Sequence, residues 1–433
     1  MSKDPSAVLE TCLGSCVGIV LYDREAAIGG LVHTLLPAGS EESEKTVPAR
    51  YARSGIPLLL SEMIKLGASK ERIVAAIAGG ALISSDSKLS VEMNIGGRNC
   101  GMVLEILGME GIPLVKQDIG GHFQRVLKLE LATGQTDIRI RGKEEGRPRI
   151  SEATGKIKFR DLMRRIDRLK PLPEIARRII SRIEYSGSSL SDLEKYILKD
   201  QAITANVLKA CNSAYYGLQH KISSINRAVV LIGAETLRNI VLAASLYNLY
   251  KERIDGYFLE KGQMLRHSVC CSMVARQIAV EKKLDDPDVV FTAGLLHDIG
   301  KVILDQYAFE KFNLIMDRVV NDNMPFLDAE NKVLGYDHAQ VGGLVAREWN
   351  LPEVLIETIL FHHEPEKAIE NPQVVSIVHI ADVISSMAGA GGGADDLANR
   401  IHESAISAIN LQKDDVDRIV EKLPEVMRHA EVF

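Results

Sequence analysis

Two cysteines, Cys12 and Cys16, open the segment TCLGSCVGIVLYD, and a histidine, His33, follows in GGLVHTLLP. A thiol attacks carbon as the thiolate, so a catalytic cysteine needs a base within hydrogen-bond reach and backbone amides aimed at the oxyanion it creates. Gly14 and Ser15 are small enough for a turn that presents the Cys16 thiol, and VGIVLYD supplies a stiff strand behind it. Gly29 and Gly30 lead into a second strand-like run, so a hairpin can return His33 toward Cys16. The same residues equally suit a buried structural thiol and a satisfied strand histidine, and spacing alone leaves both readings open. Cys12 and Cys16 also spell C-x-x-x-C, but no second Cys or His pair follows at zinc spacing.

A second set of reactive side chains lies far downstream. It comprises His267 in LRHSV, His297 and Asp298 in GLLHDIGK, His338 in GYDHAQVGG, His362 and His363 in FHHEP, and Asp382 in VHIADVIS. Asp298 and Asp382 sit in apolar helical runs, where an unpaired carboxylate costs on the order of several kcal/mol. Each needs a partner. Hydrogen-bonded imidazoles are one solution and a divalent metal held by nitrogen and oxygen is the other.

The elements that must position these groups change character along the chain. Up to about Ile140, strand-like runs (CVGIVLY, GIPLV, RVLKLEL, DIRIRG) alternate with helical patterns (ARYARSGIPLLLSEMIKLGA, GMVLEILGMEG), which predicts a layered α/β domain with much antiparallel pairing. ATGQTD, between two alternating runs, predicts a hairpin turn. GKEEGRPRISEATGKIK is charged and has no periodic apolar face, as a tether does. From Phe159 apolar residues recur at three- and four-residue spacing, predicting an all-α second domain. The expected division is 1–145, a linker at 146–160, a helical domain over 161–386, and a glycine loop with two short amphipathic helices over 387–433.

Bulk composition excludes several classes. The 433 residues are 46% hydrophobic and 25% charged, as in ordinary globular proteins. A net charge of -6 supplies no global field for nucleic acid. Apolar runs such as IVAAIAGGALI fall well short of the roughly 20 residues that span a bilayer. MSKDPSAVLE does not read as a secretory signal, and six cysteines in this length give no disulfide framework, so a cytoplasmic protein with reduced thiols is expected.

The words around Cys16 and His33 carry a resemblance. LGSCVGIVLYD followed by GGLVHTLLP, with AGGA at 78–81, IGGRNCGMVLEIL, GIPLVKQDIGG and LATGQTDIRI, resembles the chemoreceptor glutamine deamidases, the CheD family. The resemblance implies that Cys16 attacks the side-chain amide of a receptor glutamine, that His33 handles the protons, and that a nearby threonine assists, with no cofactor. Chemoreceptors are then the substrate and a chemotaxis regulatory protein is an expected partner. The family usually carries a strand ahead of the GSC motif, whereas 13 residues precede Gly14 here, so the expectation is either a sheet that lacks an edge or a start that lies further upstream. The assisting threonine often stands six residues before the cysteine, where this chain has Glu10; Thr11 is the substitute.

The helical part resembles the HDOD domain, a signalling relative of the HD phosphohydrolases, in LKPLPEIARRI, ILKDQAITANVLKACNSAYYG, ISSINRAVVLIGAETLRNIV and GYDHAQVGGLVAREWNLPE. H…HD…D is the metal-ligand order of that superfamily, which implies His267, His297, Asp298 and Asp382 as ligands of a divalent metal. His338, His362 and His363 correspond to extra ligands in the HD-GYP hydrolases, although the GYP motif itself is missing. The resemblances together imply a deamidase coupled to an HDOD module. The alternatives are a non-catalytic scaffold acting through HDOD and a metal-dependent phosphodiesterase acting on a nucleotide second messenger.

Overall fold

A computed structural model describes residues 1–39, 41–81, 95–120, 124–140, 156–168, 171–181, 197–213, 221–322, 324–390, 393 and 401–432. The chain forms two compact units, Met1–Arg149 with Ser386–Arg400 and Ile150–Ser385 with Ile401–Phe433. Most of the expected tether, residues 141–155, lies outside the described residues.

Among its described residues the first unit holds seven strands: β1 (Val8–Leu13), β2 (Val17–Asp23), β3 (Ile28–Thr34), β4 (Ile73–Gly79), β5 (Leu114–Ile119), β6 (Arg125–Glu130) and β7 (Gln135–Ile140). They make a four-stranded sheet, β3-β2-β4-β5, and a three-stranded sheet, β1-β6-β7. All seven residues of β2 are buried, which is why VGIVLYD reads as a continuous apolar run and lies at the centre of its sheet. Strand β2 is antiparallel to β3 and β4, while β4 and β5 are parallel, so the sheet is mixed.

Strand alternation sorts β2 between two cores. Val17, Ile19 and Leu21 pack with Ile56 and Met63 of helix α1 (Ala52–Leu66) and Val103 and Leu107 of helix α2 (Ile95–Met109). Val20 and Tyr22, with Cys16 in the preceding turn, pack with Leu127 and Leu129 of β6. The order is thus helices, sheet, second sheet.

Two expectations change here. The sheet does not lack its leading strand: six residues, Val8–Leu13, suffice for β1, which pairs antiparallel with β6 in full register. IVAAIAGGALI, notable in the sequence only as an apolar run, supplies β4, a central strand whose side chains are apolar on both faces and so show no alternation. The ATGQTD turn does close the β6–β7 hairpin, with Gly134 at φ +69°.

The second unit is helical throughout its described residues. The helices that matter for the site are α3 (Gln263–Glu281), α4 (Pro287–Leu296), α5 (Ile299–Asn321), α6 (Phe326–Leu334), α7 (His338–Glu348), α8 (Glu353–Phe361) and α9 (Pro372–Met387). Caps set their registers. The Asp286 carboxylate accepts from the Asp288 amide at the start of α4, where Pro287 occupies the first helical position. Asp337 accepts from the Gln340 amide and makes His338 the first residue of α7.

Close helix approaches are made at glycines. A Cβ on Gly300 of α5 would stand 1.9 Å from the His338 carbonyl oxygen of α7, so these two helices meet backbone to backbone. Helices Gln201–Cys211, Ile225–Ile232 and Ala234–Tyr250 build a separate core from Val207, Ile225, Leu237 and Ile240. Beyond the glycine loop come Glu403–Ala408 and Lys413–Ala430; the second has 18 residues and is longer than the short helix expected. Among the described residues no helix is long and apolar enough to cross a membrane.

Candidate functional site

In the first unit, the turn Gly14-Ser15-Cys16 is pinned from several sides. The Gly80 amide donates to the Cys16 carbonyl at 2.8 Å and the Ala81 amide to the Gly14 carbonyl at 2.9 Å, tying the turn to the end of β4. Asn99 of α2, fully buried, donates from Nδ2 to the Leu35 carbonyl at 2.9 Å and to the Ser15 carbonyl at 3.4 Å.

His33 faces Gly18 across the β2–β3 ladder, so its side chain points to the sheet face that also carries Cys16 and the second sheet. From β1 of that second sheet Thr11 completes the group: its Oγ1 lies 3.0 Å from His33 Nδ1. The other ring atom, Nε2, is buried with no hydrogen-bond partner. Burial holds His33 down to about 4 and pushes the Cys16 thiol up to about 12, so as folded both are neutral. The structure therefore brings Thr11 and His33 into contact and sets both on the Cys16 side of the sheet.

Cys12 packs beside this group, its Sγ 3.9 Å from Gln124 Oε1. Cys100, Cys211, Cys270 and Cys271 are buried within helices. Asn99 was not singled out in the sequence, although an amide inside the apolar helical word RNCGMVLEIL is the kind of residue that anchors a neighbouring loop.

In the second unit the seven downstream residues converge from six helices or their ends. Their ligand atoms fall into two compact groups, Asp298 with His338, His362 and His363, and His267 with His297 and Asp382; within each group all lie within 4.8 Å of one another. His267 lies within α3, and Asp382 within α9. His297 follows α4, Asp298 precedes α5, His338 begins α7, and His362 follows α8.

The ring orientations are fixed by outward hydrogen bonds. His297 Nδ1 meets the Gly294 carbonyl at 2.8 Å, His362 Nδ1 the Ile359 carbonyl at 2.8 Å, and His338 Nδ1 Glu330 Oε2 at 2.8 Å. Each engages its Nδ1 outward and turns its Nε2 inward, the orientation that metal-ligating histidines receive from their supporting groups. Inside, His267 Nε2 and His297 Nε2 are 3.3 Å apart, and His338 Nε2 and His363 Nε2 are 2.9 Å apart. Asp298 Oδ1 and His362 Nε2 are buried without hydrogen-bond partners. Inward-turned imidazole nitrogens and carboxylates with two orphaned acceptors, Asp298 Oδ1 and His362 Nε2, are a donor set that fits a divalent cation.

Burial opposes charge throughout this cluster, yet His297 beside Asp298 is raised well above the ordinary imidazole value, and Asp298 and Asp382 are held well below the carboxylate range by their histidine neighbours. His362 and His363 are pushed well down by burial and by the neighbouring rings.

Three supporting residues escaped sequence reasoning. Lys301 Nζ donates to Asp298 Oδ2 at 2.5 Å, and the Tyr257 hydroxyl donates to Glu330, which holds His338. Lys301, three positions after Asp298 in an apolar run, carried the one readable signal; Glu330 and Tyr257 reach His338 only through tertiary packing.

Comparison with known proteins agrees with this division. The family model described as CheD chemotactic sensory transduction matches residues 35–140, and the HDOD domain model matches residues 169–365. A probable chemoreceptor glutamine deamidase CheD from Desulforamulus reducens is 39% identical over 142 residues, covering 33% of this chain and 86% of that protein. Another of the same description from Clostridium novyi is 41% identical over 138 residues, covering 32% of this chain and 85% of that protein. Among solved structures, an HDOD domain protein of unknown function from Geobacter sulfurreducens is 26% identical, covers 63% of this chain and 96% of its own, and superposes with a TM-score of 0.55. Identity at this level across most of the relatives' length is decisive: the chain belongs to the CheD family and carries an HDOD domain after its CheD part.

Proposed function

We propose that this protein is a chemoreceptor glutamine deamidase in which Cys16 is the nucleophile, His33 the general base and acid, and Thr11 the group that orients His33. The observation that carries the reading is the Thr11–His33 contact with an unpartnered Nε2 on the Cys16 face. The family-model match begins at residue 35, past Cys16 and His33, so the reading of these two rests on the geometry around them.

With its Nδ1 proton donated to Thr11 Oγ1, the neutral imidazole offers the Nε2 lone pair to the thiol. Cys16 Sγ adds to the glutamine amide carbon while its proton passes to Nε2, and collapse expels ammonia with that proton, leaving a thioester. Water then attacks the thioester carbon, giving a proton to Nε2 as it does so. The Cys16–carbon bond breaks, the thiol recovers the proton, and glutamate remains. The test is incubation with receptor cytoplasmic fragments, read as ammonia release and a gain of about one dalton per glutamine converted to glutamate. Equal silence of wild type and Cys16→Ala on cognate receptors overturns the reading.

For the HDOD domain we propose a divalent cation held by His267, His297, Asp298 and Asp382, with His338, His362 and His363 as candidates for a second. The orphaned Asp298 Oδ1 and His362 Nε2 favour it. Such an ion supplies Lewis acidity and a more acidic bound water. The residues' own part is to keep Nε2 lone pairs and carboxylate oxygens aimed inward, while Lys301 balances Asp298. Metal analysis of the purified chain tests this, and stoichiometric metal in wild type that is lost in Asp298→Ala supports it.

A further inference from the structure

The first unit contains, besides its strands and helices, a distant stretch of chain, Ser386–Arg400, of which the described residues Met387–Ala390 lie against the thiol. The Ser15 hydroxyl donates to the Met387 carbonyl at 2.6 Å, and that same oxygen is 3.9 Å from Cys16 Sγ. Gly389, at φ +79°, runs so close that a Cβ there would stand 3.3 Å from Cys16 Sγ and 3.3 Å from Leu35 Cδ2. Further along, the Gly393 carbonyl accepts from Gln124 Nε2. Met387, Ala388 and Ala390 are buried, and Cys16 is left 2% exposed.

A substrate amide must bring its carbon to roughly 3–3.5 Å from the attacking sulfur. The Met387 carbonyl, 3.9 Å from the sulfur, and the main chain at Gly389 crowd that space. We propose that Met387–Ala390 is a built-in cover of the Cys16 site, seated where the substrate side chain enters, so that the thiol is available only when this segment lifts. What the cover regulates rests on the deamidase reading; that it buries the thiol does not. Gly389 suits the task, because a hydrogen atom for a side chain lets the main chain come close to the thiol, and the carbonyls of Met387 and Gly393 accept from Ser15 and Gln124. Exclusion of water by such a cover also withholds the solvation a thiolate needs, in keeping with the raised thiol.

The test is peptide-resolved alkylation of the native full chain with iodoacetamide. In wild type Cys16 labels slowly; Gly389→Trp, whose side chain is strained at this φ and has no room against the thiol, labels Cys16 about tenfold faster or more while the core thiols Cys211 and Cys270 stay protected. Gln124→Ala removes the Gly393 anchor without touching the glycine backbone and moves labelling in the same direction by a smaller factor. Equal Cys16 labelling in wild type and in both variants, with Cys211 and Cys270 protected in all three, overturns the cover. Faster labelling accompanied by faster receptor deamidation supports both proposals. Faster labelling with no deamidation in any form keeps the cover and removes the deamidase reading.

Discussion

Asp23 in the first unit and Asp298 in the second are both buried carboxylates, and their surroundings differ in kind. Asp23 Oδ1 accepts from the amides of Glu25 and Ala26 and from Arg72 Nε, and Oδ2 accepts from the Ser69 amide and Arg72 Nη2. Every lone pair has a use. Asp298 spends Oδ2 on Lys301 and leaves Oδ1 without a hydrogen bond, 3.6 Å from His338 Nε2 and 3.7 Å from His362 Nε2. Burial alone therefore says little about role. A satisfied buried acid holds a structure together, whereas an unsatisfied one beside inward-turned imidazoles is, under the proposal above, a ligand for a cation.

The same contrast extends to His33, whose Nδ1 is engaged and whose Nε2 is free, and it yields tests of decreasing size. The largest is His33→Gln: if the free Nε2 is the proton carrier, deamidation falls by about 10²–10⁴-fold with the receptor-binding step intact, and a loss below tenfold breaks the analogy. Next, Asp298→Asn keeps shape but removes charge, so metal content of the purified chain drops by roughly tenfold or more while thermal unfolding stays cooperative. Retention of full metal in that variant shows the orphaned oxygen is not a ligand.

Asp23→Asn sharpens the satisfied side. Burial disfavours the charged form, but Arg72 and the Ser69 and Ala26 amides outweigh it and hold Asp23 down to about 2, from an ordinary 3.8. A carboxyl lowered on folding contributes stability that is full above pH 3.8 and is lost as pH falls through 3.8 toward 2. The contribution is about 2 kcal/mol, and the variant gives it up at neutral pH, so the stability difference between wild type and Asp23→Asn shrinks on acidification. Denaturant unfolding across pH 2–6 reads this, and a difference that grows as pH falls contradicts it. The smallest effect belongs to Thr11→Val, which removes the Nδ1 partner and lowers turnover about tenfold, with rescue by Thr11→Ser.

Where chemistry repeats a residue type, the sequence announced it; where the surroundings make the chemistry, it did not. The apolar run after GSC and the hairpin glycines located β2 and β3, and helical spacing with clustered His and Asp marked the second unit, because both patterns are local. Strand β4 showed no alternation since both its faces are buried. Thr11 stood one position off the family pattern, and only its place on β1, opposite Leu127 of the second sheet, brings it to His33. Glu330 and Tyr257 were invisible for the same reason: their contact with His338 spans helices. The glycine loop read as a spacer, and its contact with a turn more than 370 residues earlier in the chain leaves no trace in neighbouring residues.

Gly300 has a consequence for how this protein tolerates genetic drift. It binds nothing, yet the 1.9 Å separation between any Cβ there and the His338 carbonyl means that even alanine must push α5 from α7. In a library scored for retained metal, this codon is expected to be as intolerant as those of the histidines themselves, and no compensating change at one neighbouring side chain restores it, because the obstacle is main chain.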